Sequence, residues 1–420
     1  MTAWIDDELD ALKRQSLERT LRSCEAARGA DGRDDDGSLT APGAEDNLDN
    51  RQTSAAGAYL IRDRRRLLNL ASNNYLGLAG DERIREAMIR ALEGEAAIAG
   101  AGASRLITGN YPAYAELEHQ IAEWKEAEAA LVFPNGYMAN AGIIPALVGR
   151  GDAVFSDRLN HASIVDGIVL SRAEHYRYRH NDMEHLRHLL HKHGNAKRKL
   201  IVTDTVFSMD GDAAPLLELV KLRNDYGAML MTDEAHAGGV YGPSGAGLCQ
   251  SLGLHHSIDV RMGTFSKAFG VYGAYVCGSH SLIRYLVNKS RTLIFTTGLP
   301  PAVIAGIGQA LELVRHEGWR RQAVLARSRD FRLRLRHAGF QVPAGDSPII
   351  PLLIGTNEAA RNFGAKLAIE GIAAGMIRPP TVPAGTARIR FSLTALHTES
   401  MLERACAAIE QIGKQLGAVR

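Results

Sequence analysis

From Tyr59 onward the chain alternates short apolar runs with longer stretches of helical periodicity, and few architectures accommodate that alternation. The runs Leu131–Phe133, Ala153–Phe155, Leu200–Thr203, Ala228–Met231, Val260–Met262 and Ala274–Cys277 read as strands, and helix-like segments separate most of them. Repeated strand–helix units predict an α/β fold: a mostly parallel central sheet flanked by helices. Such sheets bind ligands beyond the carboxyl ends of their strands. Most of the chemically distinctive polar residues follow directly on one of these runs.

The 420 residues exceed what one core usually serves, so two domains are expected. Residues 5–28 read as a helix, with Leu9, Leu12, Leu17 and Leu21 at near-helical spacing. Residues 29–57 have almost nothing to bury and read as a loop or linker. After Pro300-Pro301 a long helical pattern covers 303–338, then strands at Ile349–Ile354 and Ala387–Leu393, then a closing helix from Thr398 to Leu416. The expected division is 1–71 (N-terminal helix and flexible segment), 72–305 (large domain) and 306–420 (smaller α+β domain).

The formal charge of +2 is too small to suggest a nucleic-acid or membrane surface by itself, and neither partner is expected. The basic stretch His191–Lys199 is short and reads as a solvated loop. No apolar run approaches the roughly 20 residues that span a bilayer. Cys24, Cys249, Cys277 and Cys406 lack metal-site or disulfide spacing, so no metal is expected, and a reducing cytoplasm is the expected location.

Two strand ends carry the chemistry. Asp233 ends one apolar run in Ala228-Met-Leu-Met-Thr-Asp-Glu-Ala-His236, and Lys267 follows the next in Met262-Gly-Thr-Phe-Ser-Lys267. Pyridoxal phosphate (PLP) needs such a pair, an amine for a Schiff base and a carboxylate to keep its ring nitrogen protonated. A lone lysine or aspartate would read as a solvated charge or a helix cap. His236 can reach the cofactor's phenolic oxygen. Phe133-Pro-Asn-Gly-Tyr-Met138 joins a strand to a helix, where free N–H groups suit a phosphate and Gly136 permits close approach. Thr264 and Ser266 add hydroxyls. His161 is either a ring-stacking imidazole or a helix-start histidine, and Ser208 either a donor to the cofactor or a turn serine. Arg378 could grip a carboxylate through paired hydrogen bonds, although chemistry alone favours a surface-loop arginine. Gly100–Gly109 is glycine-rich but lacks nucleotide-binding spacing.

Together the strings Ser72-Asn-Asn-Tyr-Leu-Gly-Leu78, Asp157-Arg-Leu-Asn-His-Ala-Ser163, Val206-Phe-Ser-Met-Asp-Gly-Asp212, Asp233-Glu-Ala-His236, Thr264-Phe-Ser-Lys267 and Ile377–Arg388 resemble the α-oxoamine synthases, PLP enzymes of fold type I. The resemblance runs from about Leu9 to the C-terminus, and the Ile377–Arg388 string resembles the biotin-pathway branch. It implies that Lys267 carries the cofactor and later moves the α-proton, that Asp233 pairs with the ring nitrogen, and that His161 stacks on the ring. It also implies that His236 and Ser208 contact the ring oxygen, and that Gly136, Tyr137 and Thr264 bind cofactor. Thr297 would reach the phosphate of a neighbouring subunit in a homodimer. Asn73 and Arg378 would handle the amino-acid carboxylate, Thr381 would lie beside the substrate, and Arg22 near the acyl group. Asn74 stands where the family commonly has aspartate, and Asp204 where this branch often has glutamate.

The implied reaction is a decarboxylative condensation of L-alanine with pimeloyl-CoA or a pimeloyl carrier protein. Its products are 8-amino-7-oxononanoate, CO2 and the released carrier thiol. Glycine with acetyl-CoA, as in glycine C-acetyltransferase, is the rival within the family. A catalytically inert partner subunit is the rival outside it, and the presence of Lys267 speaks against that. A PLP-binding transcription factor is disfavoured by a short, acidic N-terminus without a basic recognition helix.

Overall fold

The structure, a computed structural model, describes residues 3–27, 57–93 and 97–419. Apart from Gly57, the 29–57 segment expected as a linker lies outside the described residues. In chain order the strands are Glu25–Ala26 (β1), Tyr59–Arg62 (β2), Arg65–Leu70 (β3), Ala129–Phe133 (β4), Ala153–Asp157 (β5), Glu174–Tyr178 (β6), Lys199–Asp204 (β7), Met229–Asp233 (β8), Val260–Thr264 (β9), Ala274–Gly278 (β10), Ile349–Gly355 (β11), Ile372–Ile377 (β12) and Ala387–Ser392 (β13).

Seven of them form the central sheet in the order β4-β10-β9-β8-β7-β5-β6. β5 to β9 pair in parallel, and β10 runs antiparallel to both β4 and β9. Both faces are covered, which is why the central strands read as unbroken apolar runs. Successive residues alternate between two cores. Val154, Leu200 and Val202 pack with Ile143, Ile144 and Ile168 of the helices Gly136–Leu147 and Ala162–Ser171. Phe155, Ile201 and Leu230 face the opposite side with Leu186, Leu219 and Leu222. Asp157, Asp204, Asp233 and Thr264 are the last residues of β5, β7, β8 and β9, so the parallel strands deliver them to one edge.

A second, six-stranded sheet has the order β1-β2-β3-β12-β13-β11. It draws on both ends of the chain: β3 pairs in parallel with β12, Leu68 opposite Ile372. Residues 59–70, expected to precede the domains, thus belong to the sheet of the C-terminal region. β6, β12 and the β2–β3 hairpin were not expected. β6 is a sheet edge whose sequence Glu174-His-Tyr-Arg-Tyr178 carries no apolar run.

The helix expected over 5–28 is Ala3–Arg14. Ser16 takes a left-handed conformation (φ 57°) and ends it, so Leu21 lies fully exposed despite its helical spacing. The pattern over 303–338 is two helices, Pro301–His316 and Gly318–His337, parted at Glu317. The closing helix is Glu399–Gln415, with Thr398 accepting from the Met401 amide. Among the described residues no helix is long and apolar enough to cross a membrane.

Candidate active site

Asp233 is buried at the end of β8, the middle strand of the sheet. Its carboxylate accepts from Asn140 Nδ2 and from the Ala235 amide, each at 2.8 Å. Lys267 lies three residues beyond β9 in a tight turn closed by Gly270 (φ 69°). A Cβ at Gly270 would sit 2.2 Å from the Ala79 amide nitrogen, so the turn accepts only glycine. The turn brings Lys267 Nζ to 3.0 Å from His236 Nε2, and His236 Nδ1 lies 2.7 Å from the Tyr75 hydroxyl. Burial pushes His236 well below its ordinary pKa, and Lys267, Arg390 and His161 add to the effect, so the ring is neutral at neutral pH. Burial also lowers the Lys267 ammonium, against the opposing pull of Asp233 and Asp204, with Arg390 adding to the lowering.

His161 precedes the helix Ala162–Ser171 and keeps an exposed face. Its Nδ1 is 2.8 Å from Ser163 Oγ, which accepts from Asn140 Nδ2 at 3.0 Å. One hydrogen-bonded chain therefore links His161, Ser163, Asn140 and Asp233. The His161 amide donates to Asp204 Oδ2 at 2.7 Å. Burial, reinforced by the Asp233 charge, raises the Asp204 carboxyl well above its usual range.

The helix Gly136–Leu147 begins directly beyond β4, its first turn capped by the Asn135 side chain, which accepts from the Met138 amide at 2.9 Å. Space over Gly136 is open: a Cβ there would come no nearer than 3.8 Å to Thr264. Thr264 Oγ1 and Ser266 Oγ lie 2.9 Å apart beside it. These hydroxyls stand beside an uncrowded helix N-terminus, which suits a phosphate. Tyr137 is half-exposed, its hydroxyl donating to Asp166. Thr297 is exposed and pairs with Ser104 in an isolated bridge.

The substrate-facing expectations fare differently. Arg378 does not join this network; its guanidinium donates to the Ser16 carbonyl. The residue that sequence reasoning missed is Arg390 on β13. It is 6% exposed, and it donates to Asn73 Oδ1 at 3.0 Å and to the Ser208 carbonyl at 2.6 Å. Its neighbour on the same strand face, Arg388, has the Asp210 carboxylate as partner, whereas no carboxylate pairs with Arg390 among the described residues. In Ala387-Arg-Ile-Arg390 the two arginines share the two-residue strand period, which puts them on one face but does not point to Asn73. Arg22 is exposed on the segment after the first helix. Arg19 instead reaches Thr381 Oγ1 at 3.4 Å, and both line a cavity of about 230 Å³ with Leu17, Met376, Ile377 and Arg378.

A family model described as aminotransferase class I and II matches residues 65–409. A protein of Bacillus cereus (strain Q1) and one of Geobacillus kaustophilus (strain HTA426), each named "Putative 8-amino-7-oxononanoate synthase", are 53% and 52% identical to this chain. The matches cover 86% and 88% of this chain and 91% and 94% of theirs. A serine palmitoyltransferase from S. paucimobilis, solved with bound PLP and myriocin, superposes with a TM-score of 0.83 at 33% identity, over 86% of this chain and 91% of that one. An 8-amino-7-oxononanoate synthase from Francisella tularensis superposes with a TM-score of 0.73 at 26% identity, over 83% of this chain and 98% of that one. The chain belongs to the aminotransferase class I and II family, and within it to the α-oxoamine synthases, PLP-dependent acyltransferases of fold type I.

Proposed function

We propose that this enzyme condenses L-alanine with a pimeloyl thioester, pimeloyl-CoA or pimeloyl carrier protein, to give 8-amino-7-oxononanoate, CO2 and the free carrier thiol in biotin biosynthesis. The observation that carries the reading is a pair of arginine sites, Arg390 on β13 and Arg378 one residue beyond the adjoining β12. Arg390 is buried, and no carboxylate among the described residues pairs with it. Gly375 of β12 stands opposite it, and Arg378 lies three residues farther on, roughly 10 Å along an extended chain. An amino-acid carboxylate suits Arg390 and Asn73. An acyl chain with its own terminal carboxylate suits the cavity where Arg19 and Arg378 meet apolar Leu17 and Ile377. An acetyl group would use neither the length nor the charge of that cavity. The expected role of Arg378 thus moves from the amino acid to the acyl group, and that of Arg22 to Arg19.

PLP fits the residues present. Asp233 would hold the ring nitrogen, the Gly136 helix terminus with Thr264 and Ser266 the phosphate, His161 one ring face, and His236 with Ser208 the phenolic oxygen. Asn140 Oδ1, buried without a partner among the described residues, adds an acceptor next to Asp233. When bound, the cofactor supplies an electron sink for negative charge at the α-carbon of the amino acid. Arg390 and Asn73 orient the alanine carboxylate. Lys267 Nζ removes the α-proton, and its lowered pKa enlarges the neutral fraction able to do so. The same amine returns a proton to the α-carbon after CO2 leaves.

Leu106, Ile107 and Phe295 are 50%, 76% and 71% exposed around the Ser104–Thr297 bridge. Such an apolar surface supports a homodimer in which Thr297 faces the partner's cofactor site. The free cysteines fit a reducing cytoplasm. The test is thiol release by the PLP-loaded protein with alanine plus pimeloyl-CoA, glycine plus acetyl-CoA, and serine plus palmitoyl-CoA. Turnover is expected with the first pair. Turnover confined to either of the others overturns the assignment, and absence of both turnover and a visible cofactor band would favour an inert partner subunit.

A further inference from the structure

Tyr75 is fully buried in Ser72-Asn-Asn-Tyr75, and its hydroxyl sits between two hydrogen-bond partners. His236 Nδ1 is at 2.7 Å and Asn73 Oδ1 at 3.1 Å, with Arg390 Nη2 at 3.5 Å. A phenol has one proton and cannot donate to both. The proton on His236 therefore decides which way Tyr75 points. When Lys267 is an ammonium it can only donate, so His236 Nε2 accepts and the ring proton lies on Nδ1. Nδ1–H then donates to the Tyr75 oxygen, and Tyr75 donates to Asn73. When the amine is engaged by cofactor and His236 must donate from Nε2, the ring proton lies there, and Tyr75 turns to donate to Nδ1. Only a hydroxyl serves both arrangements.

We infer that Tyr75 is a positioning residue that sets the tautomer of His236, and with it whether His236 accepts from Lys267 or donates to the cofactor's phenolic oxygen. This rests on the proposed PLP chemistry but is independent of the acyl substrate. Asn73 and Arg390, the residues that would take the amino-acid carboxylate, are Tyr75's other partners. Carboxylate binding there draws Asn73 away and leaves Tyr75 to His236. The charged or titratable groups facing His236 are Lys267, Arg390, His161 and Tyr75 itself. Burial holds the Tyr75 phenol protonated, above its ordinary value, although Arg390 opposes this. Tyr75 thus acts by reorienting its proton, not by losing it.

The test has two readouts. In cofactor-free protein, nitrogen-15 histidine spectra, with the His236 signals identified by their loss in His236→Asn, report which ring nitrogen carries the proton. At neutral pH the wild type is expected to show Nδ1–H, and Asn73→Ala, which removes Tyr75's alternative acceptor, to raise the Nε2–H fraction, with the Lys267 amine accepting from Nε2–H where it is neutral. In PLP-loaded protein the pH midpoint of the visible absorbance change is expected to rise by about one unit in Tyr75→Phe, since His236 loses the donor that holds Nε2–H toward the phenolic oxygen. An unchanged tautomer in Asn73→Ala together with an unchanged midpoint in Tyr75→Phe overturns the inference. A wild type without any titrating visible band refutes the PLP reading instead, and the histidine spectra of the cofactor-free chain then decide the role of Tyr75. Should Tyr75→Phe fail to fold, the Asn73→Ala spectra decide alone.

Discussion

At the scale of single residues, the proposed function gives Arg390 the amino-acid carboxylate that the sequence reading assigned to Arg378, and gives Arg378 the acyl group that it assigned to Arg22. Arg390 is sealed among Asn73, Ser392 and the Ser208 carbonyl, and Arg378 lies in a cavity wall with Arg19. A charge-assisted hydrogen bond contributes about 1.5–3 kcal/mol, or roughly ten- to a hundred-fold in binding. Arg390→Gln is therefore expected to raise the KM for alanine by that factor with little change in the KM for the thioester. Arg378→Gln is expected to do the reverse. Steady-state kinetics with each substrate varied in turn separates them, and a joint rise for both variants contradicts the assignment. Lys267, Asp233 and His161 could be picked out from sequence because each lies at or within a few residues of the carboxyl end of a strand, where chain order alone predicts the site. Arg390 and Tyr75 could not be placed that way. Their roles depend on β13 and the turn after β3 meeting across the molecule, a pairing of residues more than 300 positions apart that no local pattern encodes.

Among the elements, the end of β5 is tied to the loop carrying Ser208 by one imidazole. His180 Nδ1 is 3.0 Å from Asp157 Oδ1, and Nε2 is 2.8 Å from Asp212 Oδ2. Burial opposes the positive ring, but hydrogen bonds to Asp157 and then Asp212 overcome it and carry its pKa up to about 10. A histidine raised above its unfolded value of about 6.5 stabilises the fold fully below that pH. The contribution then falls away as pH climbs toward 10. Removing one partner from such a partly buried set costs about 3 kcal/mol. His180→Gln is accordingly expected to lower the thermal midpoint at pH 7 by several degrees, and to lose less between pH 7 and pH 10 than the parent does. Scanning calorimetry at both pH values checks it, and parallel losses would show that His180 is neutral. The elements around it were unequally visible in the sequence. β5 and β7 announce themselves through Val154, Leu200 and Ile201, buried on both faces. β6, at the sheet's edge, has one side free and needs no apolar run, so nothing in Glu174–Tyr178 marks it.

Across the whole molecule, the two ends of the chain share one sheet, and this sets what can be removed. In β3, Leu67, Leu68 and Leu70 are 3%, 7% and 0% exposed, and β12 takes its parallel partner from there. Burying a leucine contributes about 1.5–3 kcal/mol, so the three together rival the 5–15 kcal/mol by which a domain is stable. Losing β3 would also leave the backbone of β12 unpaired in the middle of its sheet. The first helix, by contrast, is almost wholly exposed, and Trp4 and Leu9 keep 65% and 47% of their surface in solvent. A chain beginning at Gly57 is therefore expected to fold cooperatively with a thermal midpoint within a few degrees of the full chain, and a chain beginning at Ser72 to show no cooperative transition. The shorter of these losses still removes Arg19 and Leu17 from the acyl cavity. The Gly57 chain should thus bind PLP, keep the KM for alanine and raise the KM for the pimeloyl thioester at least ten-fold. A Ser72 chain that melts cooperatively would mean the small sheet does not need β3. A Gly57 chain with an unchanged thioester KM would mean that Arg19 does not reach the acyl group.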